Sequence, residues 1–397
     1  MTTTMTTATT AAWSSSPRTP PLPVSLPPPT TRHPIGTVDL HLVDRTRPDP
    51  LLPSKPFREL MVTLWYPARH RATYPTTPWL GPAAAADWDS HSAPGLTIPP
   101  GTVDWRGIRT HARTGAPAAP GAGPVVLFLP GDGGIRALGT TLVEDLAAHG
   151  YLVVTIDSTY EADQVEFPGG RVERAIPLPD ELTPEIIAAL LAKHSRARLA
   201  DAAFILTALE SLTAGHNPDA TGRPLPPGLP TALDLSRTAA LGQSLGGSVA
   251  AQLAHDDPRI SAAINLDGEF IGPVATTGAR TPFLLLASAT HTFDNVPGWN
   301  TFWTATTTWK RALRLRDAAH GSYTDLQTIL PQLTPHLDIP AAEELIGTIP
   351  PAPSLAAQRT ATKRFLDLHL KNHPTRFFDD PTRYHPELEL LPGPTRA

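Results

Sequence analysis

The chain has 397 residues, 41% hydrophobic and 17% charged, with a formal net charge of −5 and no cysteine. That apolar share supplies a sizeable core. The acidic balance excludes a general electrostatic nucleic-acid binder, and the missing cysteine excludes disulfides, Cys-ligated zinc, Fe–S clusters and thiol nucleophiles.

Residues 1–31 hold ten Thr and seven Pro with almost no aliphatic bulk. Such a composition predicts a disordered tail, because too little surface can be buried to offset the ordering entropy. These opening residues lack a basic stretch followed by an apolar one, so no signal peptide is expected, and the expected location is the cytoplasm with export left open. No run of 18 apolar residues occurs, so no transmembrane segment is expected.

A single domain is expected over 32–375, with a polar tail over 376–397. Residues 37–44 alternate polar and apolar, and 59–68 form a second strand of antiparallel type. Residues 71–122 are rich in Pro, Gly and Ala and carry Trp79, Trp88 and Trp105, which reads as a long loop excursion. PVVLFLPG (124–131) is a continuous apolar run, as in a strand buried on both faces. A helix follows near 137–149 and the next strand at 152–158. A helical and loop insertion spans 159–235, its long helix opened by Thr183-Pro184, a good N-cap and first-turn pair. Strands are expected at 238–244, 262–268, 282–288 and 312–320, and a last helix near 355–371. Strands alternating with helices predict an α/β fold, a doubly wound and mostly parallel sheet with N-terminal antiparallel strands and helices on both faces.

Gly242-Gln243-Ser244-Leu245-Gly246 fits G-x-S-x-G between a buried strand and a helix, the context that the motif requires. Its serine sits on a tight turn whose neighbours at ±2 must lack side chains. The Leu245 N–H and the positive end of the helix then face a developing oxyanion. A base is expected late in the chain. Among 15 histidines, His320 ends the last predicted strand and precedes Ser322-Tyr-Thr-Asp325, which reads as a capping box. Two aspartates compete as the acid: Asp267, which lies 23 residues after Ser244, and Asp294 after the following strand. The second oxyanion donor is expected in Pro130-Gly131-Asp132-Gly133-Gly134, at the Asp132 amide or one residue later. Trp299, Phe302 and Trp303 share a helical face and suit either core packing or the lining of an acyl pocket. No metal-binding motif occurs, so neither a metal nor a cofactor is expected.

GQSLGG, LDG 23 residues on, and the late AHGSYTD together resemble the plasma-type platelet-activating-factor acetylhydrolases and their bacterial relatives. The likeness extends to LWYPA (64–68), FLPGDGG (128–134) and RLADAAFILTAL (198–209). It covers roughly 37 to 371. The resemblance implies an α/β-hydrolase-fold serine esterase acting on short-acyl esters, with a small-molecule ester or phospholipid as substrate. It carries the acid to Asp267, the base to His320 and the oxyanion amides to Asp132 and Leu245. This chain departs from the family in having Gln243 before the serine and Leu129-Pro130-Gly131 at the oxyanion loop, changes that bear on substrate preference. Two alternatives stay open: the same residues acting on amides, thioesters or specialised-metabolite esters, or as an acyltransferase, and a non-catalytic binding protein on this fold. No pattern in the sequence sets an oligomeric state.

Overall fold

The computed structural model describes residues 20–69 and 73–394. Its strands are β1 (Ile35–Asp44), β2 (Arg58–Pro67), β3 (Thr76–Pro78), β4 (Arg109–Thr114), β5 (Gly123–Leu129), β6 (Leu152–Asp157), β7 (Gln164–Phe167), β8 (Arg171–Arg174), β9 (Leu233–Gln243), β10 (Ile260–Leu266), β11 (Phe283–Ala287), β12 (Lys310–Leu315) and β13 (Leu388–Leu390). The helices that matter for the site are α1 (Thr140–Ala148), α2 (Pro184–Thr213), α3 (Leu245–Asp256), α4 (Trp299–Ala305), α5 (Leu326–Leu333) and α6 (Pro351–Leu370).

Among the described residues, 11 strands form one sheet in the order β13-β12-β11-β10-β9-β5-β6-β2-β1-β4-β3. The segment from β12 to β6 is parallel throughout, and β2 joins β6 antiparallel. Alternation of side chains along each strand feeds two cores. On β5, Val125, Leu127 and Leu129 face the core that α2 and α3 cover, and Val126 and Phe128 face the one under α1 and α6. A strand covered on both sides needs apolar residues at every position, which is why 124–129 is unbroken in sequence.

The long helix begins where its cap residues place it. Thr183 Oγ1 accepts from the Ile186 amide, and Pro184 takes the first helical position. A buried ionic cluster anchors the middle of this helix to β2. Arg58, with no exposure, donates to both carboxylate oxygens of Asp201, to Asp49 at 2.8 Å and to the Thr159 carbonyl at 2.6 Å.

Four regions differ from the sequence expectation. The disordered tail expected over 1–31 lies outside the described residues up to residue 19. From residue 20 the chain runs along the body, where Val24 and Leu26 are buried and Thr30 donates twice to Asp145. Two of the three aliphatic residues in the proline-rich run are buried in an apolar cluster and Leu22 packs against it, and the prolines hold the chain extended at little entropic cost. Of the polar tail expected over 376–397, the described residues 376–394 are likewise part of the fold. Phe377 and Phe378 are buried and β13 pairs with the edge strand β12. The excursion at 71–122 contains β3, β4 and short helices, and Trp79, Trp88 and Trp105 pack on one another with ring centroids 5.7–6.2 Å apart. The 159–235 insertion adds the β7–β8 hairpin to its helix.

Candidate active site

The elbow follows from two glycines. A Cβ on Gly242 would lie 2.1 Å from the Gly246 backbone, and one on Gly246 would lie 2.0 Å from the Leu129 carbonyl oxygen. Only hydrogen fits at either place, so the chain can reverse sharply between β9 and α3. Ser244, at the crest, has φ 54° and ψ −124°, a conformation costly for any residue with a side chain. Its amide donates to the Leu266 carbonyl at 2.9 Å, which pins the elbow to the neighbouring strand.

Asp267 stands just past the end of β10, also at positive φ (61°). The turn behind it is closed by Asn265, whose amide group pairs with both the N–H and the C=O of Gly268. A Cβ on Gly268 would lie 2.0 Å from the Ser244 carbonyl oxygen, which explains the glycine after this aspartate.

His320 was expected at the end of a strand. Instead, β12 stops at Leu315 and His320 opens a short 3-10 turn, His320–Tyr323. The expected capping box at 322–325 does not form. Ser322 Oγ accepts from the Ala319 amide and donates to the Ile346 carbonyl, while the Asp325 side chain turns inward to Trp79 and Thr141. These contacts brace the turn that presents the imidazole.

The structure brings His320 to Asp267 and not to Asp294. His320 Nδ1 lies 2.7 Å from Asp267 Oδ2, whereas Asp294 is exposed on a surface turn. A second imidazole, His291, meets the other oxygen, with Nδ1 2.8 Å from Oδ1, and the Ser288 amide donates to that same oxygen. Burial pushes the Asp267 carboxyl up, but the donors His291, His320 and Ser288 together hold it below the usual carboxylate value. The hydrogen bond to Asp267 raises the His291 pKa in return.

Ser244, Leu245, Asp267, His291 and His320 all line one cavity of about 290 Å³. Ser244 Oγ makes no hydrogen bond among the described residues. The nitrogen that should serve it, His320 Nε2, lies 3.3 Å from the side-chain amide nitrogen of Gln243. With the Nδ1 proton given to the carboxylate, Nε2 is the acceptor and Gln243 the donor. Gln243, expected at the substrate pocket, thus covers the base at rest.

The other pocket candidates are core residues. Trp299 and Phe302 have no exposure; Phe302 stacks on Phe270, and the Trp299 indole donates to the Gly268 carbonyl. Trp303 packs against Phe293 and under the Lys310 ammonium. The helical spacing that groups these rings packs them on the core, and none of the three is among the residues that line the serine cavity.

The glycine loop 130–134 lies opposite the elbow. Arg198 of α2 donates to the Pro130 carbonyl, to the Gly131 carbonyl at 2.7 Å and to both oxygens of Glu161. His194, one turn earlier, meets Asp132 Oδ1 at 2.7 Å. His291, His194, Arg198 and Glu161 are site residues that the sequence reading missed. His291 had a signal, lying four residues past the strand at 283–287 and three before the alternative acid Asp294. The Arg198–Glu161 pair, 37 residues apart, had none. The sets Asp267/His291/His320 and Asp132/Glu161/His194 each bring ligand-type atoms within 4.8 Å. Mutual hydrogen bonds and the Arg198 guanidinium already account for both groupings.

Fold and site together define an α/β-hydrolase, with a serine on the strand–helix elbow and an acid–imidazole pair at the ends of later strands. Residues 56–376 match the family described as platelet-activating factor acetylhydrolase, isoform II, and the chain belongs to that family. The description of that family is of an ester hydrolase. A relative in Arthroderma benhamiae, a probable 1-alkyl-2-acetylglycerophosphocholine esterase, is 26% identical over 287 residues, or 68% of this chain and 66% of that protein. The match thus spans just under two thirds of that relative's length. Among solved structures, a ferulic acid esterase from Streptomyces cinnamoneus superposes with a TM-score of 0.74 at 34% identity, covering 93% of this chain and 99% of its own. Among the described residues, no helix is long and apolar enough to cross a membrane.

Proposed function

We propose that this protein cleaves short-acyl carboxylic esters through an acyl-enzyme on Ser244. His320 is its general base and then its acid, Asp267 orients the imidazole, and the Leu245 and Asp132 amides receive the oxyanion. The observation that carries this reading is the 2.7 Å contact between His320 Nδ1 and the buried Asp267, in the cavity that Ser244 lines. Substrate entry displaces the Gln243 amide and opens His320 Nε2. Ser244 Oγ then attacks the carbonyl carbon as its proton passes to Nε2, and the ionised Asp267 stabilises the imidazolium. The imidazolium protonates the leaving alcohol, and water enters by the same route to release the acid.

A cavity of about 290 Å³ is at the small end of ligand sites, roughly 300–1,000 Å³, which favours a short acyl group. The name of the Arthroderma benhamiae relative supports an acetyl ester of phospholipid type. The identity to the ferulic acid esterase favours a second reading, an aromatic acyl ester. A panel of p-nitrophenyl esters of rising acyl length, a short-acyl phospholipid and methyl ferulate separates the two. Ser244→Ala is expected to abolish turnover and fluorophosphonate labelling with an unchanged circular dichroism spectrum. A variant that labels and turns over like wild type overturns the assignment of the nucleophile.

A further inference from the structure

We infer that Arg198 is a positioning residue that sets the oxyanion hole by holding two carbonyl groups of the 130–134 loop. This inference rests on Ser244 being the nucleophile.

The guanidinium of Arg198 is buried and donates to the carbonyl oxygens of Pro130 and Gly131 in succession. In a trans peptide the C=O and the following N–H point in opposite directions. Drawing those two carbonyls toward α2 therefore turns the Gly131 and Asp132 N–H groups away from it. This loop sits against the nucleophile, since a Cβ on Gly131 would be 3.3 Å from Ser244 Cβ. Among the described residues, neither the Asp132 amide nor the Leu245 amide has a protein acceptor, so both stay available to an oxyanion.

The loop does not need an ion pair merely to close, because the Gly134 amide already donates to the Gly131 carbonyl at 3.0 Å. A buried Arg–Glu pair adds little stability over an apolar pair of the same volume. What the fork supplies is direction, two parallel donors at a fixed spacing, with Glu161 holding the guanidinium plane. The same helix deals with a second problem. The Asp132 carboxylate, beside its own donor amide, would repel a developing oxyanion. His194 pairs with it at 2.7 Å. Burial works against its charge, yet His194 and Arg198 hold its pKa below the usual value, so it is both ionised and paired.

The test uses the full chain and p-nitrophenyl acetate. Arg198→Lys keeps the charge but loses the planar fork that holds both carbonyls and Glu161 at once. It is expected to lower kcat by about 10²-fold, the scale of losing one oxyanion donor, with KM within about threefold. Affinity for a trifluoromethyl ketone, which binds as an oxyanion adduct, should fall by the same factor. A folded variant with wild-type kcat, or a kcat loss not matched by the ketone, overturns the inference.

A second arm does not disturb the buried pair. His194→Ala is expected to lower kcat several-fold, and adding Asp132→Asn should restore it by removing the unpaired charge. An unaffected single variant, or a double variant without rescue, also overturns the inference. Ser244→Ala separates the two levels. If it keeps activity, the nucleophile assignment fails. If it is inactive while the Arg198 and His194 variants behave as wild type, only the role of Arg198 fails.

Discussion

A carboxylate with no solvent exposure keeps its charge at Asp267 because donors surround both of its oxygens. Charge is what the site needs there, since an imidazolium forming at His320 has no other anion at hydrogen-bond distance among the described residues. An amide in its place would present an N–H to His320 Nδ1 and favour the wrong tautomer. Asp267→Asn is therefore expected to lower kcat by about 10⁴-fold, while Asp294→Asn stays within about twofold. Steady-state kinetics on one ester decides this, and the opposite ranking would move the acid to Asp294. Both aspartates follow strand ends in the sequence, so strand position alone could not choose between them. The resemblance could, and in space only Asp267 reaches the imidazole.

At the scale of elements, the turn carrying His320 is set by what lies beneath it. Asp325, at the head of α5, accepts from the Trp79 indole and from the Thr141 amide and hydroxyl at 2.8–3.0 Å, joining the tryptophan cluster to α1. Burial dominates over these donors and pushes its pKa up to about 7. The folded value thus exceeds the unfolded value of 3.8, and the folded state holds a proton that the unfolded state releases. Stability from this group is greatest below the unfolded value, falls as pH rises toward about 7 and is level above it. Asp325→Asn removes the dependence. The melting temperature of the wild type should fall relative to this variant between about pH 4 and pH 7, and a difference that does not change with pH would refute the assignment. In the sequence Asp325 looks like a cap, because a local pattern of Ser and Asp fits a helix start. The structure turns it inward because Thr141, 184 residues away, offers two donors.

Across the whole molecule, both ends of the described chain cover the body. Residues 20–31 insert Val24 and Leu26 and supply carbonyls from Pro27 and Pro28 to the Arg359 guanidinium. Full burial of a Val or Leu side chain is worth about 1.5–3 kcal/mol, an upper value for a compact unfolded chain. A chain truncated to begin at Arg32 should therefore lose on the order of 3 kcal/mol of stability and melt several degrees lower. Its kcat per folded molecule should stay near wild type, because none of these residues lines the serine cavity. An unchanged melting curve would show that the arm only rests on the surface. Composition predicted disorder here because it averages over the segment, whereas two well-placed aliphatic residues decide whether it docks.

What the sequence determined by itself was short in range. Gly242, Ser244 and Gly246 mark the elbow as a local pattern: the clash that excludes a side chain at Gly242 is with the Gly246 backbone four residues on, while the one at Gly246, with the Leu129 carbonyl, arises only in the folded sheet. The apolar run at 124–129 specifies a buried parallel strand because a strand covered on both faces has little room for polar side chains. Other features were decided only by the tertiary structure: His291 on the second oxygen of Asp267, Gln243 over His320, and Arg198 behind the 130–134 loop. Each of these depends on a direction between side chains or carbonyls brought together by β10, β11 and α2. Spacing along a chain carries no record of such directions; they exist once the sheet order has been set.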